Sequence, residues 1–471
     1  MVFSSAIFLF FFLPIVLILY FLLPKKGQNW LLLISSILFY TWGEPRFILI
    51  LLASITIDFF LAKAMDKYEN PRRKRILILS LILNLGLLAY FKYANFFIDN
   101  IQQIYHLFGL KPFAWSKVAL PIGISFVTFQ KISYMVDVYR KTDEPQKKWS
   151  LLTLYILMFP QLIAGPIVRY KEIAQQLEDR SSTMQDRLNG LYRFIVGLSK
   201  KILIANVLAA QVDAIFAIAP AELSTGTAWI GMLAYSLQIY FDFSGYSDMA
   251  LGLGKIFGFT FPENFNFPYI SKNFTEFWRR WHISLCNWMK DYLYIPLGGN
   301  RVKVSRMYLN LLIVFFLSGL WHGAAWTFVA WGLYHGLFLV GDKLFMKKAL
   351  KKIGNVPAML LTFIFVMIGW VIFRSDSLTY ACQYIKQLFA FQCFTDSIFI
   401  NGRFIVILIT ALILSFLGYF GKIEEYVNKL FYTDHSNSQL VIFSILAVIM
   451  YLLSSSALLA GGFNPFIYFR F

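Results

Sequence analysis

Hydrophobic positions along this chain gather into long runs, and the polar positions are left to short, mostly basic segments between them. The runs fall at about 1–23, 30–42, 47–64, 76–97, 118–139, 151–168, 190–218, 226–257, 305–320, 324–341, 357–373, 403–421 and 439–460. A helix needs roughly 20 apolar residues to cross the bilayer core, and in hydrocarbon only helices or closed barrels satisfy their own backbone. The pattern predicts an all-α polytopic integral membrane protein with about 11–13 transmembrane helices. The runs at 30–42 and 305–320 are short for a span, which predicts tilted, re-entrant or half-helices with covered ends.

The basic segments orient the runs. Between Lys63 and Arg75 six cations face two anions, and Asp342 to Lys352 carries five lysines and one aspartate. Excess positive charge marks cytoplasmic loops. Arg140 to Lys148, with four cations and two anions, points the same way more weakly. Three runs precede the first basic loop, so the amino terminus of this multi-pass protein is expected to be extracytoplasmic. The first run has no Lys or Arg ahead of it and no small-residue cleavage pattern after it, so it reads as a retained span and not a signal peptide. No polar block is large enough to fold alone, so residues 1–471 read as a single integral domain.

Composition sharpens this picture. The chain is 58% hydrophobic and 14% charged, with 50 Phe, 26 Tyr and 12 Trp, far from the balance of a soluble domain. Its net charge of +18 comes from cations placed between apolar runs, where lipid headgroups are the natural partner and nucleic acid is not. Cys286, Cys382 and Cys393 form no CxxC pattern, so neither a disulfide framework nor a zinc site is expected.

The stretch at about 255–306 differs in kind, with eight cations, three anions and dense aromatics. From Asn273 to Tyr292 the residues Phe274, Phe277, Trp278, Trp281, Leu285, Trp288, Met289 and Tyr292 form one helical stripe, which predicts a single amphipathic interfacial helix. Pro296 and Gly298-Gly299-Asn300-Arg301 end it in a turn, with an anion-binding nest as the secondary possibility.

Candidate chemistry rests on histidines. The chain lacks a GxSxG elbow, a GxxxxGK[ST] phosphate loop and an HExxH metal helix. His322 sits at a Trp-His-Gly corner between two apolar runs, and His282 at the edge of the interfacial stripe. Neutral imidazole tolerates a low-dielectric site and still accepts a proton near neutral pH. Taken singly, each residue has a plainer role: His322 as a core histidine bonded to a carbonyl, His282 as a headgroup ligand. On an unbroken helix His335 lies about 220° from His322 and faces away from it, which suits a structural role. Asp242 and Asp248 are proton relays, polar lining, or packing acids paired with Arg279, Arg280 or Arg301. A transporter or a non-catalytic export-complex subunit is the competing class, although no paired halves are visible.

Five motifs taken together carry a resemblance. They are Tyr240-Phe241-Asp242-Phe243-Ser244-Gly245-Tyr246-Ser247-Asp248, the stretch Phe261 to Tyr269, Glu276 to Leu285 around Trp281-His282, Asp291 to Arg301, and Ser318-Gly319-Leu320-Trp321-His322-Gly323. With Phe39 to Gly43 near the start and Asn464 to Phe471 at the close, the chain resembles the membrane-bound O-acyltransferase (MBOAT) family. It is most similar to the bacterial branch with the membrane subunit of alginate O-acetylation. The resemblance implies a ring of tilted helices around a central tunnel, where a cytosolic acyl thioester and an extracytoplasmic hydroxyl meet at His322. The family's second histidine falls on His282.

On the same resemblance, acetyl-coenzyme A is the donor substrate, with no bound cofactor and no metal, and a separate extracytoplasmic acetyltransferase or glycan acceptor is the partner. The acceptor implied is an exported, alginate-like polysaccharide; alternatives are peptidoglycan and D-alanyl transfer to teichoic acid. His322 is the expected base, with His282 orienting the donor or donating a hydrogen bond to the oxyanion. Trp321, Asp242, Tyr246, Arg280, Lys290, Asn300 and Arg301 are the substrate-binding candidates, and Lys303 is a further cation for the donor phosphates. Cys286 stands where the family pattern leads one to expect a small hydroxylated residue.

Overall fold

The computed structural model describes residues 3–392, 400–461 and 465–467, so Cys393 and most of the closing motif lie outside the described residues. The first compact unit covers Met1–Ser181 and Gly258–Phe261, the second Ser182–Phe257 and Pro262–Phe471. In the first unit the α-helices are α1 (Leu13–Leu22), α2 (Lys25–Gly43), α3 (Ile48–Lys67), α4 (Arg72–Leu88), α5 (Ala94–Leu107), α6 (Ile124–Arg140), α7 (Trp149–Leu157) and α8 (Tyr170–Glu178). In the second they are α9 (Met184–Ser199), α10 (Asn206–Phe216), α11 (Thr225–Ile256), α12 (Phe274–Arg280), α13 (Ile283–Met289), α14 (Val304–His322), α15 (Trp326–Gly341), α16 (Lys347–Ile353), α17 (Asn355–Arg374), α18 (Leu378–Gln387), α19 (Gly402–Phe416), α20 (Gly421–Leu430) and α21 (Asn437–Gly461). No strand occurs among the described residues.

The all-α polytopic expectation holds. Among the described residues seven helical stretches are long and apolar enough to cross a membrane. The two short runs are extended by polar flanks that join the helix, giving α2 and α14 nineteen residues each. The run at 151–168 behaves differently. Only α7 is helical there, and from Met158 to Val168 the chain is irregular with every residue buried, a conformation tolerated at membrane depth only where protein covers it.

In the first unit the sequence hides an ion pair inside the helices. Lys131 on α6 lies 3.1 Å from Asp58 on α3, and Asp58 also accepts from Ser80 (2.7 Å) and Asn84 (2.9 Å) on α4. Every partner is buried, so the charges are satisfied within the helix bundle. Arg73, expected in a solvated basic loop, is 4% exposed. It donates to the carbonyls of Met65 and Tyr139, each at 3.1 Å, and so caps the carboxyl ends of α3 and α6.

The second unit is built around α11, whose residues 234–254 are all buried. Glycines let α9 cross it at backbone contact: a Cβ on Gly197 would lie 2.5 Å from the Gly245 carbonyl oxygen, and one on Gly190 2.6 Å from that of Gly252. Small residues at this spacing let two helices approach closely in a membrane. The approach brings Arg193, Lys200 and Lys201 against the α11 acids.

Candidate active site

The position of His322 follows from how α14 ends. The α14–α15 hairpin closes through Gly319 and Gly332, where a Cβ would fall 2.3 Å from the carbonyl oxygens of Phe328 and Phe315 respectively. His322, 5% exposed, is the last residue of α14. Its ring packs on Trp321 (5.0 Å between centroids), Trp331 (4.9 Å) and Phe373 (5.3 Å).

The single interfacial helix expected from Asn273 to Tyr292 is broken in two at His282. Helix α12 stops at Arg280, and His282 adopts φ 45°, ψ 53° before α13 begins. Left-handed backbone is uncommon for residues other than glycine and persists where the surroundings impose it. Here Asn264 to Asn266 impose it, because the Asn266 amide donates to the Arg280 carbonyl (2.9 Å) and the Ile283 amide to the Asn264 carbonyl (3.0 Å). The amphipathic stripe was visible in the sequence, but this pairing with a distant segment was not. The kink turns His282 fully inward, so the ring is buried and not interfacial.

The Asn264 side chain fixes the imidazole as well. Its Oδ1 accepts from the Ser284 amide (3.3 Å) and hydroxyl (2.9 Å) and lies 3.0 Å from His282 Nδ1, while its Nδ2 donates to Ser247 Oγ (3.1 Å). The Ser284 N–H can only donate, so the Asn264 atom facing it is the carbonyl oxygen, and His282 Nδ1 must then carry the proton. The other nitrogen, Nε2, is buried with no hydrogen-bond partner among the described residues and holds the lone pair. In its neutral form this ring accepts a hydrogen bond at Nε2. Of the two expected roles, orienting the donor and donating to an oxyanion, the neutral ring with its lone pair at Nε2 suits the first.

The two histidines meet through one indole, since the His282 ring centroid lies 6.1 Å from that of Trp321. His335 belongs to the same aromatic wall. The helix between His322 and His335 is not continuous but breaks at Gly323, so the expected opposite facing fails, and Trp331 packs against both rings, 4.8 Å from His335.

The α11 acids pair elsewhere than the sequence suggested. Asp248 binds Arg193 (3.0 Å) and Lys200 (2.6 Å), and Arg193 also grips Glu263 (2.6 Å). Asp242 pairs with Lys201 at 2.5 Å and accepts from the Ile467 amide at 2.8 Å. Tyr246 packs on Phe466. Arg280 is held by Glu276 (3.1 Å) and Glu424 (2.6 Å). None of these pairs uses Arg279, Arg280 or Arg301 for an α11 carboxylate. Lys290 lines a small cavity of about 160 Å³ with Trp278 and Ser318. Asn300 and Arg301 are exposed in a turn where Tyr294 donates to Asn300 at 2.7 Å. Thus His282, Trp321 and His322 come together, Asp242 and Tyr246 hold the carboxyl-terminal segment, and Asn300 and Arg301 stand at the surface.

Sequence reasoning assigned no role to Arg193, Lys200, Lys201, Glu263 or Asn264. The last two stand inside the Phe261 to Tyr269 motif, a signal that marks them without saying what they bind.

The family model for the membrane-bound O-acyltransferase family matches residues 37–382. The chain is 43% identical over 430 residues to the probable alginate O-acetylase AlgI of Pseudomonas aeruginosa, covering 90% of this chain and 82% of that protein. It is 40% identical over 488 residues to the protein of the same name in Pseudomonas putida, covering both chains completely. It is also 39% identical over 425 residues to the peptidoglycan O-acetyltransferase of Helicobacter pylori, covering 82% of this chain and 80% of that one.

Proposed function

The chain belongs to the membrane-bound O-acyltransferase family, and on that footing we propose that this multi-pass O-acyltransferase passes an acetyl group from cytosolic acetyl-coenzyme A to an exported, alginate-like polysaccharide. It works from the cell inner membrane, with its amino terminus outside and a separate extracytoplasmic acetyltransferase as partner. The names of the relatives at 43% and 40% identity support alginate as the acceptor type, and the Helicobacter relative supports peptidoglycan as the second reading.

The mechanism assigns His322 as base. It takes the proton of an acceptor hydroxyl as that oxygen attacks the thioester carbonyl; the carbon–sulfur bond then breaks and the thiolate leaves to be protonated. His282, with its lone pair at Nε2, accepts a hydrogen bond from the donor or acceptor and orients it. Lys290, Asn300, Arg301 and Lys303 meet the donor phosphates at the mouth of the site.

One observation carries this reading: two buried imidazoles, contributed by separate elements, pack on the same Trp321 indole. The test is acetyl transfer from radiolabelled acetyl-coenzyme A in membranes bearing wild type, His322→Ala or His282→Ala. A general base contributes about 10² to 10⁴-fold, so His322→Ala is expected to lose activity on that scale while remaining folded. A folded His322→Ala protein with wild-type transfer overturns the assignment.

A further inference from the structure

The second unit contains a cavity of about 560 Å³ that the proposed chemistry does not use, a size at which protein pockets hold medium-sized ligands. Its walls are mostly apolar and include Leu203, Leu251, Ile407, Leu414 and Met450. Helix α19 packs on α10 and α11, whereas α21 packs on α9 and the π-helical turn Lys200–Ala205 that follows it. The cavity lies between the two, with Ile407 and Leu414 on one wall and Met450 on the other. Both helices are apolar enough to cross the membrane. The outward side of α19 exposes Val406, Ile409 and Ile413, so the medium beside the cavity is hydrocarbon.

The charges at the cavity exclude a polyanion. Arg193, Lys200, Asp248 and Glu263 line it, two cations against two anions, and they are joined to one another in ion pairs. They offer no surplus positive charge to coenzyme A phosphates. We propose that the cavity takes one acyl chain of a bilayer phospholipid, entering between α19 and α21. The acyl chain covers Asn264 and Asn266, which line the cavity and hold the His282 kink. A membrane lipid thereby completes the wall behind the histidine.

The experiment reconstitutes the whole protein in nanodiscs with a phosphatidylethanolamine whose acyl chain ends in a diazirine, irradiates, and maps the crosslinks by peptide mass spectrometry. Labelling is expected on Leu203 and Leu251, inside the cavity, and is expected to fall several-fold in both Thr410→Trp and Met450→Trp, which fill it. Crosslinks confined to the outward residues Val406, Ile409 and Ile413 in the wild-type protein overturn the proposal. So does inward labelling that acetyl-coenzyme A abolishes, which assigns the chamber to the donor. The readout is crosslinking and not turnover, so it stands apart from the fate of the His322 assignment.

Discussion

Asn264 and His282, eighteen residues apart, are joined by a hydrogen bond of 3.0 Å that leaves only one tautomer open to the imidazole. The same side-chain oxygen receives both donors of Ser284, so one residue, through its backbone and its side chain, bears on the kink, the ring and the start of α13. A histidine whose protonated nitrogen is fixed this way presents its lone pair in one direction.

Asn264→Ala is expected to strand the Nδ1–H of His282 and both donors of Ser284. A buried donor left without a partner costs about 1–3 kcal/mol. The variant is therefore expected to unfold at lower temperature in detergent and to lose acetyl transfer together with His282→Ala. Equal melting midpoints for the variant and the wild type would remove Asn264 from this role.

Gly319→Ala is expected to push α14 away from α15, because its new Cβ would meet the Phe328 carbonyl oxygen at 2.3 Å. Overpacking of this kind costs about 1–3 kcal/mol, and the displaced α14 end carries His322 with it. Gly226→Ala provides the control, since nothing lies within 4 Å of its added methyl. Thermal midpoints and transfer rates of the two variants should diverge.

Arg193→Met is expected to destabilise the second unit. Breaking a buried ion pair costs about 3–5 kcal/mol. The lower end applies here because Lys200 still holds Asp248 and the Glu263 side chain is 41% exposed. Adding Glu263→Gln to Arg193→Met should recover part of the loss, which a double-mutant cycle on melting midpoints would read.

Asp143, in the loop after α6, has its pKa raised to about 6, first by burial and then by the charge of Asp137, with Lys171 opposing. An acid whose folded pKa is raised holds its proton more tightly when folded. At low pH both states are protonated and nothing is lost. As pH rises from the ordinary aspartate value of 3.8 through about 6, the folded state is penalised, by about 1 kcal/mol once solvent screening of a partly exposed group is allowed for. Asp143→Asn should flatten that decline in a melting series between those pH values.

Much of this was legible in the sequence for physical reasons. Apolar runs of membrane length announce helices, and the Trp321-His322-Gly323 corner between two such runs marks His322 for burial, where the structure has it. What escaped depends on contacts between distant segments. The stripe from Asn273 to Tyr292 is a sound helical pattern, yet the backbone bonds of Asn264 and Asn266 override it at His282. Arg73 looked like one more loop cation, but its carbonyl partners come from two other helices. The acids of α11 were visible and their partners were not, because one-dimensional spacing does not reveal that Gly190 and Gly197 bring α9 against them.

That glycine-mediated crossing bears on how the protein is made. Alone in a bilayer, α11 would carry two carboxylates, each adding about 2.5–3.5 kcal/mol at mid-membrane. Their counter-charges Arg193, Lys200 and Lys201 all come earlier in the chain. Synthesis from the amino end therefore makes each counter-charge before the acid that it pairs with.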